Sequence, residues 1–144
     1  MQNISKSLGF FINLSKTQTI LSRKLDSSLG GISFMEFIIL LNLSLSQDNK
    51  LRRIDLAGKI GLTASGVTRI LLPMEKIGLV SREINENDAR VSYVILAAGG
   101  KMKLEEAMER AELLVGDIIP NEDITKMGEF SDLLVKIGKT IIWN

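Results

Sequence analysis

The chain has 144 residues, of which 45% are hydrophobic and 24% charged, a composition that suits one globular domain with a core of its own. It contains no cysteine and no histidine, which excludes disulfides, thiol redox sensing and Ser-His or Cys-His catalysis and disfavours the usual zinc, copper and iron sites. With one Trp, one Tyr and five Phe, the core must be built mainly from Leu, Ile, Val and Met.

The net charge of +1 is unevenly spread. Residues 50–90 carry eight basic and five acidic side chains, whereas residues 101–144 carry six basic and nine acidic. A polyanionic partner would therefore meet the middle of the chain. No apolar run approaches the roughly 20 residues that span a bilayer. The N-terminus lacks the basic flank, apolar stretch and small-residue cleavage site of a signal peptide, so a cytoplasmic location is expected.

In chain order, Leu8, Phe11, Ile12, Ile20, Leu21 and Leu25 alternate with polar positions and predict an amphipathic helix over about 5–29. Gly30-Gly31 should stop it. Ser33 and Glu36 have capping-box spacing, and Ile32 and Phe37 stand where a hydrophobic staple would, so a second helix is predicted over about 34–45. A polar loop follows at 46–49. A short helix over 53–60 ends at Gly61, and Thr63 caps a fourth over 64–77, closed by Gly78. Pro73 lies inside that helix and should kink or loosen it. The runs 80–84 and 91–96 are strand-like around the turn-rich stretch 85–89, and predict a hairpin. After Gly99-Gly100 a helix is expected over 101–119. Pro120 breaks it, and Asn121 is placed to cap a last helix. There Ile124, Met127, Phe130, Leu134, Ile137 and Ile141 form one apolar face.

The pair of helices at 53–77 meets the demands of a helix-turn-helix. Ala57 is small where the helices cross, and Gly61 makes the turn. Leu56, Ile60, Leu62, Val67 and Ile70 face a common core, and Thr63 starts the second helix. The start of that second helix is short and polar. Thr63, Ala64, Ser65, Gly66, Thr68 and Arg69 let a backbone approach base edges and offer hydrogen bonds to bases or phosphates. Gly66 costs about 1 kcal/mol against alanine inside a helix, which suits either a close approach to DNA or a crowded contact within the protein. Near the hairpin tip, Asp88 and Arg90 suit a wing whose arginine enters the minor groove while the aspartate holds it.

These residues resemble the MarR family of bacterial transcription regulators. The match runs through Leu56-Ala57, Ile60-Gly61-Leu62-Thr63, Val67-Thr68-Arg69, Glu75 to Val80 and Asp88-Ala89-Arg90, and reaches Leu96 and Gly100. The fold class expected is mainly α with a small β-hairpin, a winged helix-turn-helix over 33–100. Helices at 1–30 and 101–144 complete a single unit of 1–144, and the resemblance implies that they form a homodimer interface. It further implies a pseudo-palindromic operator in double-stranded DNA, a repressor, and a small aromatic or anionic ligand bound between the dimerisation and DNA-binding regions. No cofactor, metal or enzymatic activity is implied. Two positions depart from the family pattern: Ala89 replaces a common arginine of the wing, and Ala97 replaces a threonine cap. A winged-helix module that binds protein and not DNA is the competing reading. Glu105, Glu106, Glu109 and Glu112 are spaced as a solvated helix face rather than as paired catalytic carboxylates.

Overall fold

The computed structural model describes residues 3–143. They form six helices and three strands: α1 (Lys6–Asp26), α2 (Phe34–Ser44), β1 (Lys50–Arg52), α3 (Arg53–Ile60), α4 (Ala64–Lys76), β2 (Val80–Asn85), β3 (Asp88–Leu96), α5 (Ala98–Ile118) and α6 (Ile124–Trp143). The chain divides into two compact units, one up to Ala111 and one from Glu112 onward.

In the first unit the predicted helices appear with their caps. Ser33 and Glu36 form the capping box: the Ser33 amide donates to Glu36 Oε1 at 2.8 Å, and the Glu36 amide donates to Ser33 Oγ at 3.1 Å. Both staple residues, Ile32 and Phe37, are buried. α1 ends earlier than the glycines imply. Its C-cap is Ser27, and the Ser27 and Ser28 hydroxyls donate to the Lys24 carbonyl at 3.0 and 2.6 Å. Gly30 and Gly31 serve the following turn instead, at φ 79° and 102°.

The polar loop holds a short 3₁₀ turn, Gln47–Asn49, in which Asp48 and Asn49 have positive φ. Such values suit Asn and Asp better than most residues. α4 runs on through Pro73, as the predicted span of 64–77 requires, and its last turn is closed by the Ile77 amide on the Pro73 carbonyl at 3.2 Å. Pro73 has no amide proton for the Arg69 carbonyl, so one helical bond is missing while the flanking turns continue.

The hairpin is longer than its apolar runs suggest. Asn85 pairs with Asp88, so only Glu86 and Asn87 turn the chain, and the Asn85 side chain accepts from the Asn87 amide at 2.9 Å. A third strand joins it: β1 pairs antiparallel with β3 (Leu51 opposite Val94), giving the order β1-β3-β2. The core between helices and sheet is wholly apolar, with Leu25, Leu29, Ile39, Leu40, Leu43, Leu56, Val67 and Met74 all under 2% exposed.

α5 begins three residues before its predicted start, so Gly99 and Gly100 belong to its first turn. The Ala97 amide donates to the Leu79 carbonyl at 3.1 Å and docks the helix on the Gly78-Leu79 turn. A Cβ on Gly100 would collide with that same carbonyl, and one on Gly99 would lie 2.9 Å from the Gly78 oxygen. Glycine is needed for contact, not for a left-handed turn. In the second unit, Asn121 opens a 3₁₀ turn, Asn121–Asp123, rather than capping α6 directly. Pro120 precedes that turn, and the Asp123 amide bonds its carbonyl at 2.9 Å.

Gly100→Ala tests this docking. In an unobstructed helix the change would stabilise by about 1 kcal/mol. Here overpacking of roughly 1–3 kcal/mol should win, so urea unfolding should show a lower midpoint at unchanged slope.

Candidate nucleic-acid interface

The turn between α3 and α4 is set by Gly61, at φ 75°, where a side chain would be strained. The amides of Gly61 and Leu62 both bond the Ala57 carbonyl, and Ala57 is buried at the crossing. Leu56 and Val67 are fully buried with it, while Ile60, Leu62 and Ile70 are half-buried. Thr63 caps α4, its Oγ1 accepting from the Gly66 amide at 3.1 Å and lying 3.2 Å from Ser65 Oγ. A Cβ on Gly66 would stand 3.2 Å from that same Thr63 Oγ1, so crowding against the cap gives the glycine a local reason.

The site residues fall into three groups, of which the first two were predicted. Thr63, Ser65 and Arg69 are exposed along the first turns of α4, with Ala64, Gly66 and Thr68 half-buried beside them. Among the described residues the Arg69 side chain makes no hydrogen bond or ion pair. At the wing, Arg90 Nε and Nη2 donate to Asp88 Oδ1 and Oδ2 at 3.0 and 3.3 Å, and the Arg90 amide adds a third bond to Oδ1 at 3.0 Å. The aspartate thus holds the arginine as expected, but the Arg90 side chain is 91% exposed. Solvent screening weakens so exposed a pair, and the guanidinium can exchange it for another anion. The Ala89 side chain, the wing position read as lacking a phosphate contact, lies outside the described residues.

The third group was not legible in sequence. A cleft of about 230 Å³ opens between the start of α3, the start of α4 and the wing strand β3, lined by Arg52, Arg53, Ile54, Ala64, Arg90, Val91 and Ser92. Arg52 is held by Asp55, with bonds of 2.7 and 3.1 Å, and this pairing makes its guanidinium still harder to deprotonate. Arg53 Nη1 donates to Thr68 Oγ1 at 2.9 Å. In sequence both arginines enter only as charge of the middle segment. Their position beside Ala64 and Arg90 comes from the fold.

Polar groups at the open start of one helix, basic side chains beside it and an arginine on a β-wing define a winged helix-turn-helix protein. Residues 34–92 match the MarR family model. The chain is 26% identical over 87 residues to the uncharacterized HTH-type transcriptional regulator YdgJ of Bacillus subtilis (strain 168), covering 60% of this chain and 53% of that protein, so the match spans about half of that relative. The transcriptional regulator BldR from Sulfolobus solfataricus has the same fold, with a TM-score of 0.80 at 24% identity over 94% of this chain and 99% of that one. Sco3205, a MarR family transcriptional regulator from Streptomyces coelicolor solved in complex with DNA, gives a TM-score of 0.75 at 23% identity, over 94% and 91% of the two chains.

The Asp88–Arg90 pairing can be read by titration. The Arg90 side chain, and then its amide, hold the Asp88 carboxyl below the ordinary aspartate range. The sign follows: the contribution is present above the unfolded pKa and is lost as pH falls through the lowered one. Carboxyl carbon shifts should show Asp88 titrating low in the wild-type chain and moving back up in Arg90→Gln. An unmoved Asp88 would mean that Arg90 does not hold it in solution.

Proposed function

We propose that the protein is a sequence-specific DNA-binding transcription regulator, a repressor that acts as a homodimer on a pseudo-palindromic operator. One observation carries this reading: the polar start of α4 and the cationic cleft lie on the side where the wing also presents Arg90. The first turns of α4 (Thr63, Ala64, Ser65, Gly66, Thr68 and Arg69) would enter the major groove, and Asp88 would hold Arg90 for the minor groove. The DNA complex of Sco3205 supports it by likeness of fold.

Dimerisation is supported by apolar faces that the chain leaves uncovered. On α1, Leu8, Phe11, Ile12 and Ile20 are 42–57% exposed; on α6, Ile124, Met127, Phe130, Leu134 and Ile141 are 40–66% exposed. Isolated exposed apolar residues need no partner, but whole helix faces do. No helix among the described residues is long and apolar enough to cross a membrane, so we assign these faces to a second copy of the chain.

Selection from random DNA with the purified protein tests both parts. A two-fold-symmetric motif should be enriched, and affinity should fall steeply with salt. Arg90→Ala should weaken binding broadly, Arg69→Ala should change base preference by about 1–3 kcal/mol at one position, and Phe130→Asp with Leu134→Asp should sediment as a monomer and lose the symmetric site. Failure to enrich any motif would favour the protein-binding module instead.

A ligand cleft fits the same reading. A cleft of about 500 Å³ separates α1, α2 and α4, with Leu21, Phe34, Met35, Ile38, Ile70 and Pro73 as its apolar lining, within the range of small-molecule sites. Its charged lining consists of Asp26 and Glu36, with no lysine or arginine. An aromatic ligand therefore suits it when neutral or cationic better than when anionic. In a thermal-shift comparison of aromatic amines with aromatic acids of matched skeleton, the amines should raise Tm by a few degrees at about 100 times Kd. A larger shift with the acids would reverse the assignment.

A further inference from the structure

We infer that Arg53 is a DNA-phosphate contact built into the corner between α3, α4 and the wing, and that Thr68 holds Arg53 in place rather than reading a base. The inference rests on the DNA-binding reading above.

Hydrogen-bond accounting leads to it. A threonine hydroxyl has one proton. The Thr68 proton goes to the Ala64 carbonyl at 3.0 Å, so the oxygen accepts from Arg53 Nη1 at 2.9 Å. With its proton committed, Thr68 has none left for an acceptor on a base edge. These two bonds fasten the guanidinium to the first turn of α4, against the rotamer freedom that a long exposed side chain otherwise keeps.

Charge accounting points the same way. Three arginines line the cleft. Arg52 is held by Asp55 and Arg90 by Asp88. Among the described residues no carboxylate lies within ion-pair distance of Arg53, whose side chain bonds only a neutral hydroxyl. Its guanidinium is therefore oriented without being tied into an ion pair. Arg53 stands at the start of α3, the helix that crosses the DNA backbone when the next helix occupies the major groove. A phosphate oxygen is thus its fitting partner, and a fixed fork of donors matches phosphate better than a mobile ammonium would.

Anisotropy titrations across salt, on the motif selected by the wild-type chain, test this with Arg53→Gln, Thr68→Val, Thr68→Ser and the Arg53→Gln/Thr68→Val double variant. A lost phosphate contact flattens the salt slope by about 0.9 per bound chain. The deficit of Arg53→Gln against wild type should therefore narrow by about 3.5-fold per bound chain between 50 and 200 mM salt. Its selected motif should be unchanged. Thr68→Val should weaken binding in the same direction, the double variant should bind no worse than Arg53→Gln alone, and Thr68→Ser should restore wild-type behaviour. Normal affinity and salt slope in Arg53→Gln would overturn the assignment, as would an altered base preference in Thr68→Val or additive losses in the double variant. Absence of DNA binding by the wild-type chain would remove the regulator reading as well, whereas the other adverse results leave it standing.

Discussion

The direction of α4 depends on one backbone turn. Gly61 takes a left-handed conformation, and its amide and that of Leu62 converge on the Ala57 carbonyl. A side chain at 61 would strain this turn. A larger one at 57 would press on the buried crossing, where Leu56 and Val67 are already fully enclosed. With the crossing fixed, Thr63 can cap α4 and the polar first turns are left outside. The exposed face of α4 follows from what its other side buries.

The wing is held by a different kind of constraint. β3 is the central strand, bonded to β2 on one side and to β1 on the other. Because β1 runs directly into α3, the sheet ties the wing to the helix-turn-helix through consecutive residues. Lys50 reinforces the junction, with its ammonium 4.9 Å from the centre of the Tyr93 ring and 3.5 Å from the Glu83 carboxylate. At the other end of the hairpin, the Ala97 amide and the bare Cα of Gly100 let α5 rest on the Leu79 carbonyl. The wing is thereby anchored at its base and free at its tip, where Asp88 and Arg90 stand.

Three arginines at one corner have three different environments. Arg52 and Arg90 are each gripped by an aspartate two or three residues away, and Arg53 is gripped by a hydroxyl fifteen residues away. Local pairs of opposite charge orient a side chain while cancelling its field. A neutral partner orients it and leaves the field intact. The net charge of the middle segment conceals this distinction.

The sequence by itself determined the order of helices, the capping box at Ser33 and Glu36, the glycine turn at 61 and the Asp88–Arg90 wing. Each is set by residues within four positions of one another, a range over which backbone sterics and single hydrogen bonds decide the outcome. Its resemblance to a family was legible for the same reason, since the motif is a run of such local solutions. Only the tertiary structure decided the rest. β1 is three residues with no alternation to read, and it exists because β3, some forty residues on, offers it a partner. Gly99-Gly100 was expected to precede α5 and instead packs within its first turn, because its reason is the carbonyl of Leu79. Thr68 looked like a base reader and is bonded to Arg53, because α3 and α4 cross there. In each case the deciding partner is distant in sequence, and periodicity and spacing carry no information about it.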